Sequence, residues 1–341
     1  MELHVMAAGR MLPDVQAYAR KVEAAGLDGM VFVEAGRTAY LSIAAAALAA
    51  PTLQYSTGIA VAFPRSPTVT ASTAWELQDA TGGRFRLGLG TQVRAHIERR
   101  YGVEFSPPGP RLREYVQALK AIFPAFRGDE ELDFHGDYHE LTLMPSMWAP
   151  GPIDHADPPV DVAAVGPWMV RMAGEVADGV HVHPFHSRPY LDDRLLPGLA
   201  EGTDAAGRSR DDLTLSIPVF TIVGDTEEER AQWRERARFQ TAFYGSTKNY
   251  SFMFDMLGFE GTSAALNDKL KAGDLPGMAA CITDEMLEHY AIETTWDGLA
   301  DALREKYDGI GDRLILYFAE EMYRNDPSYL DRFGEVATAL R

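Results

Sequence analysis

The sequence predicts an α/β fold built as a single (β/α)8 (TIM) barrel, and three observations carry that expectation. Short apolar strands alternate with helices from the first residues onward. The strand–helix–strand joints are tight, which favours parallel pairing through crossover helices. Glycines recur where strands end, as at Gly58 and Gly90, and read as places where a flat ligand lies against bare backbone.

The elements follow in order. Leu3–Ala8 reads as a strand and 12–25 as a helix; Met30–Glu34 is the second strand, and a helix spans about 40–50 and stops at Pro51. Leu53–Thr57 is a strand ending in Gly58-Ile59, before a loop punctuated by Pro64. Ser66 stands as an N-cap with Pro67 at the first helical position, and that helix runs to about Ala80 before Gly82-Gly83. Phe85–Leu89 is the next strand, closing at Gly90-Thr91. A helical piece at 95–101 breaks at Pro107-Pro108, and a strong helix covers 110–126. Residues 132–143, LDFHGDYHELTL, alternate around a Gly-Asp turn and read as an added hairpin. A proline-rich loop leads to a strand at 160–165, a helix from Pro167 to Ala177 and a strand at 179–183.

Further on, 213–223 is a strand and 226–243 a charged helix opened by Asp225-Thr226. Residues 244–292 read as a helical insertion without a clear strand, placed before the last repeat. A helix at 296–307, a strand at 313–318 and a helix at 327–340 close the chain. Roughly eight strands with intervening helices fit the barrel, as one domain over residues 1–341; an open doubly wound sheet is the competing architecture.

Composition narrows the function classes. Over 341 residues the formal net charge is −18, which argues against nucleic acid or an anionic membrane as partner. Cys281 is the one cysteine, so no intrachain disulfide forms and a reducing compartment is expected. The opening LHVMAAG reads directly as a strand rather than a leader, and the apolar run 41–50 is too short to cross a bilayer; the expectation is a cytoplasmic protein. No Walker A lysine motif, HExxH or GxSxG occurs. Gly88-Leu89-Gly90-Thr91-Gln92-Val93 lacks the third glycine of a dinucleotide fingerprint. His181-Val182-His183 has metal-ligand spacing on one strand face, but without a further ligand cluster it reads as histidines lining the barrel mouth, and no metal is expected.

GGRFRLGLGTQ (82–92), VGPWMVRMAGEVADGVHVHP (165–184), AFYGST (242–247) and the stretch 309–318, in this order and spacing, make the chain resemble the luciferase-like monooxygenase superfamily, and within it the branch using the deazaflavin coenzyme F420. The resemblance implies a (β/α)8 barrel with its cofactor at the carboxyl ends of the strands. It implies a non-proline cis peptide at Gly58–Ile59, forming a bulge behind the cofactor ring, and polar groups presented to the ring by Thr91 and Gln92 after Gly90. Val165-Gly166-Pro167 corresponds to the segment holding the cofactor's phosphate. Physics agrees independently, since free N–H groups and the dipole at a helix N-terminus attract an anion. Arg65 lies on the loop after the bulge, within the expected reach of an anionic tail.

Glu34 matches an acidic position near the ring edge. His96 and His183 are the proton carriers of choice at neutral pH. Ala35, Val93 and His186 stand where sugar-phosphate-oxidising members carry a histidine, a glutamate and a lysine, so that activity is not expected. Phe63, Trp168, Phe185 and Tyr317 point to an apolar organic substrate, and residues 244–249 to a lid or partner surface. The expected activity is hydride transfer between F420 and a small apolar molecule, and a homo-oligomer is expected. The alternatives are an FMN-dependent monooxygenase on the same fold and a cofactor-binding barrel without turnover; a metal-dependent hydrolase comes last.

Overall fold

In a computed structural model describing residues 1–341, eight parallel strands close into a barrel. They are β1 (Glu2–Ala8), β2 (Gly29–Val33), β3 (Gln54–Thr57), β4 (Phe85–Gly90), β5 (Val160–Ala163), β6 (Gly179–His181), β7 (Thr214–Val223) and β8 (Arg313–Leu316). Each pairs with the next in sequence, and β8 returns to β1, with Glu2 opposite Arg313 and Val5 opposite Leu316. The closed ring is the TIM barrel expected from the alternation of elements.

Local chemistry explains the helix starts. The Ser66 hydroxyl accepts the Val69 amide at 3.3 Å, and Pro67 opens helix Pro67–Ala80. Thr226 and Glu229 cap reciprocally the helix Glu227–Gly245, each side chain accepting the other's backbone N–H. The helix Pro108–Arg127 ends at Gly128, whose φ of 83° a side chain would strain.

Two short strands depart from the expected order. Ala60–Val61 resumes pairing with β4 beyond Gly58-Ile59. Ala291–Thr294 adds to the end of β7, within and just past the stretch read as helical without a strand. Its four residues directly follow helix Asp284–Tyr290, too short a run for alternation to declare itself. The remainder of that stretch holds the helices Phe252–Asp255, Thr262–Ala272 and Leu275–Ala279. Phe134–His135 and Glu140–Leu141 pair as an antiparallel hairpin, whose turn is gripped by Glu114: its carboxylate accepts the backbone amides of Asp137, Tyr138 and His139.

Between the sheet and its helices, Leu3, Val5, Tyr55, Phe85, Leu87, Val162 and Leu215 are buried in one continuous apolar core. The barrel interior differs. Arg86 on β4 grips Asp161 on β5 through two hydrogen bonds, of 2.9 and 2.5 Å, with Asp161 fully buried. Arg313 on β8 pairs with Glu2 on β1 at 2.8 Å. Burial opposes the Glu2 charge, but the His4 hydrogen bond and the Arg313 charge hold its carboxyl down at about 2. Ion pairs thus occupy space that branched aliphatic side chains fill in most such barrels.

Candidate active site

The site lies at the carboxyl ends of the strands, and its first wall is the kink after β3. The Gly58–Ile59 peptide is cis. A Cβ on Gly58 would sit 2.2 Å from Val31 Cγ1, one on Gly90 2.6 Å from Ile59 Cδ1, and one on Gly88 2.1 Å from the Thr57 carbonyl oxygen. At Gly88 the obstacle is backbone, so packing itself demands the glycine, whereas at Gly58 and Gly90 a side chain of Val31 or Ile59 would have to move. Thr57 Oγ1 both donates to the Gly88 carbonyl, at 2.7 Å, and accepts the Gly88 amide, at 2.8 Å.

Glu34, just after β2, turns its carboxylate toward this kink. It accepts the Val61 amide at 2.8 Å and forms a two-pronged pair with Arg65, at 2.5 and 3.0 Å. Arg65 also donates to the Val61 carbonyl, at 3.2 Å, and lies over the Tyr40 ring. Glu34 and Arg65, expected as a proton carrier and a cofactor contact, are thus committed to each other and to the loop behind the kink. His96 is exposed on helix Arg94–Arg99, and its ring makes no hydrogen bond. Thr91 and Gln92 are half-buried after β4; Gln92 has φ +55° and its side-chain oxygen accepts the Val93 amide.

After β5, helix Pro167–Val176 begins without a side-chain cap and without an acidic residue in its first turn. No protein group accepts the amides of Gly166, Trp168 or Met169. Gly166 has ordinary φ and ψ, −77° and 159°, yet nothing lies within 4 Å of where its Cβ would be. Open space in front of free amides and a helix dipole is a setting that suits an anion.

The third wall follows β6. His183 Nδ1 accepts the Phe185 amide at 3.1 Å, so the neutral ring carries its proton on Nε2, which no protein group accepts. Its ring packs against Tyr244 and Tyr250, with centroids 4.8 and 4.7 Å away. Tyr244, at the end of the capped helix, meets Tyr317, just beyond β8, hydroxyl to hydroxyl at 2.6 Å. Burial pushes His183 down to about 4 and raises both tyrosines. The sequence had offered Tyr317 only as an apolar wall and Tyr244 only as part of a lid.

Two neighbouring histidines are structural. His186 donates from Nδ1 to the His183 carbonyl, at 2.8 Å, and accepts the Tyr307 hydroxyl on Nε2, at 3.0 Å. His181 points into the barrel, its Nε2 3.8 Å from Asp161 and without a partner. Burial lowers His181 to about 4, and burial with the Lys306 charge lowers His186 to about 3. Below the ordinary imidazole value of 6.5 the unfolded chain takes up protons that these folded sites refuse. Stability is then complete above about pH 6.5 and falls as pH drops toward 4, by up to about 1.4 kcal/mol per pH unit for each imidazole. Urea midpoints measured above and below that window check this; a flat profile would refute neutral burial. No three His, Cys, Asp or Glu side chains cluster as metal ligands, and no helix is long and apolar enough to cross a membrane.

Comparison with known proteins bears on the family and the fold. A family model described as luciferase-like monooxygenase matches residues 2–313. An uncharacterized protein of Mycobacterium tuberculosis is 37% identical over 297 residues, 87% of each chain. The 5,10-methylenetetrahydromethanopterin reductase of Archaeoglobus fulgidus is 26% identical over 302 residues, 86% of this chain and 85% of that protein. The solved coenzyme F420-dependent tetrahydromethanopterin reductase of Methanopyrus kandleri superposes with a TM-score of 0.78 at 17% identity, covering 98% of this chain and 97% of that one, a likeness of fold.

Proposed function

The chain belongs to the luciferase-like monooxygenase family, and from that premise we propose an F420-dependent oxidoreductase acting on a small, largely apolar organic molecule. One observation carries the reading of a phosphate-bearing cofactor: the open, uncapped helix start at Gly166, on the rim where such barrels place their chemistry. The sequence kinship with a methanopterin reductase, an activity that uses coenzyme F420 in the solved protein, favours the deazaflavin within the family.

F420, when bound, supplies or accepts a hydride. The protein's share is to hold and align. The Gly166, Trp168 and Met169 amides take the phosphate, and Ile59, Thr91 and Gln92 line the same rim. The Glu34–Arg65 pair fixes the loop behind the kink and so positions Ile59. Among the three proton carriers weighed from the sequence, His183 is the one both half-buried at the mouth and with a free ring nitrogen. Helix Ala39–Ala49 is apolar on every side yet leaves Leu41 and Leu48 59% and 79% exposed, which supports a homo-oligomer. The lone free Cys281 accords with a reducing, cytoplasmic setting.

FMN is the second reading, because the same cradle suits its phosphate and Arg65 is engaged by Glu34 rather than free for an F420 tail. Titrating the purified protein with each cofactor, followed by cofactor fluorescence, decides between them. Saturable binding of F420 in preference to FMN is expected; the reverse would make this a flavin-dependent monooxygenase, and binding of neither would leave the cofactor reading without support.

A further inference from the structure

We propose that His183, Tyr244 and Tyr317 form an oxygen-binding subsite, so that the group reduced or formed by hydride transfer is a carbonyl; the inference rests on the oxidoreductase reading. The three side chains arrive from separate elements: the end of β6, the end of helix Glu227–Gly245 and the end of β8. Their hydrogen-bond inventory is one-sided. His183 has its acceptor nitrogen occupied by the Phe185 amide and offers only Nε2–H. In the tyrosine pair one hydroxyl donates to the other, so one phenolic proton remains uncommitted. Glu321, the carboxylate whose charge acts on Tyr317, is itself paired with Arg236 at 3.0 Å.

A site that offers donors at a greasy aromatic wall suits an oxygen that only accepts. Phe220 packs edge-on to Tyr317 at 4.8 Å and the Tyr250 ring lies against His183, so aromatic carbon flanks these donors. A carbonyl oxygen fits this; a cationic iminium carbon–nitrogen bond or an isolated alkene gives such donors nothing to bond.

The chemistry balances with a reduced 5-deazaflavin as hydride donor. The hydride pair forms the new C–H bond at the carbonyl carbon, the C=O π pair moves onto oxygen, and the deazaflavin is oxidised, releasing its ring N–H proton to solvent. The oxygen takes the phenolic proton, and the phenolate recovers one from solvent through its partner tyrosine. An alkoxide is intrinsically a stronger base than a phenolate, and the burial that raises both phenols raises it too, so the proton passes to the substrate oxygen. His183 Nε2–H stabilises the developing oxyanion without giving up its proton. The tyrosine that does not touch the oxygen is a positioning residue.

The test loads the protein with reduced F420 and offers simple ketones, a cyclic iminium salt and an unconjugated alkene, following the oxidised deazaflavin. Ketones are expected to turn over. The double variant Tyr244→Phe/Tyr317→Phe should lower kcat for ketones by about 100-fold or more, with F420 affinity unchanged within about two-fold. His183→Gln, which retains an N–H donor, should recover more activity than His183→Ala. The infrared C=O stretch of a 13C-labelled ketone should move to lower frequency on binding and lose that shift in the double variant. Turnover of the iminium salt or alkene alone, or wild-type ketone rates in the double variant, would overturn the subsite and leave the cofactor reading standing. Failure to bind F420 would remove that reading, while the C=O stretch in unloaded protein would still decide the subsite.

Discussion

Gly166→Asp is expected to leave the fold slightly more stable and to abolish cofactor binding. The backbone there already has the φ and ψ of an N-cap residue, and no atom obstructs a Cβ. An aspartate would accept the Trp168 or Met169 amide and complement the helix dipole, adding a few tenths to about 1 kcal/mol. The same carboxylate would consume the donors proposed to hold the phosphate and place a negative charge where that anion must sit. Losing two charge-assisted hydrogen bonds costs about 3–6 kcal/mol, or about 10²–10⁴-fold in affinity. Gly166→Ala supplies the contrast: it fills the same open space but leaves the amides free, and affinity should fall by less than about 10-fold. Thermal denaturation and fluorescence titration of both variants give the comparison. An aspartate variant that binds cofactor like the parent protein would show that the phosphate lies elsewhere.

Asp161→Ala is expected to be the most destabilising single change in the barrel interior. Asp161 is fully buried and answers both Arg86 nitrogens that face it, and Arg86 itself is largely sequestered. Removing the carboxylate strands a buried guanidinium, at a cost of about 3–5 kcal/mol. Asp161→Asn keeps one oxygen as acceptor and should cost less. The double replacement Arg86→Met/Asp161→Leu should recover much of the loss, because a buried pair roughly balances its own desolvation. Denaturant midpoints for the three variants separate these cases. If the alanine variant matched the parent protein within about 1 kcal/mol, the pair would have no structural weight.

The barrel was legible because its signals are local. Ser66-Pro67 starts a helix wherever it is read, Thr226 and Glu229 cap by their spacing alone, and alternating strands and helices admit few topologies. The helix start at Gly166-Pro167 was legible for the same reason, since strand end, glycine and helix start are consecutive in the chain. The four-residue strand Ala291–Thr294 was not, because its pairing with β7 lies some seventy residues away and its pattern is too short to oppose the helix before it.

What the sequence by itself determined, then, was the alternation of elements, the resemblance that ordered them, and the residues with special backbone freedom or charge. Only the tertiary structure decided what those residues do. Gly88 proved necessary to packing because the Thr57 carbonyl comes from the neighbouring strand. Glu34 and Arg65 were drawn to each other across 31 positions, and Tyr244 to Tyr317 across 73. His183 became a donor because a backbone amide two residues on occupies its other nitrogen. The physical reason is common to all of them: propensity and capping act along the chain, whereas a hydrogen-bond partner, a desolvated charge or a steric limit is set by whichever atoms the closed barrel brings within a few ångströms.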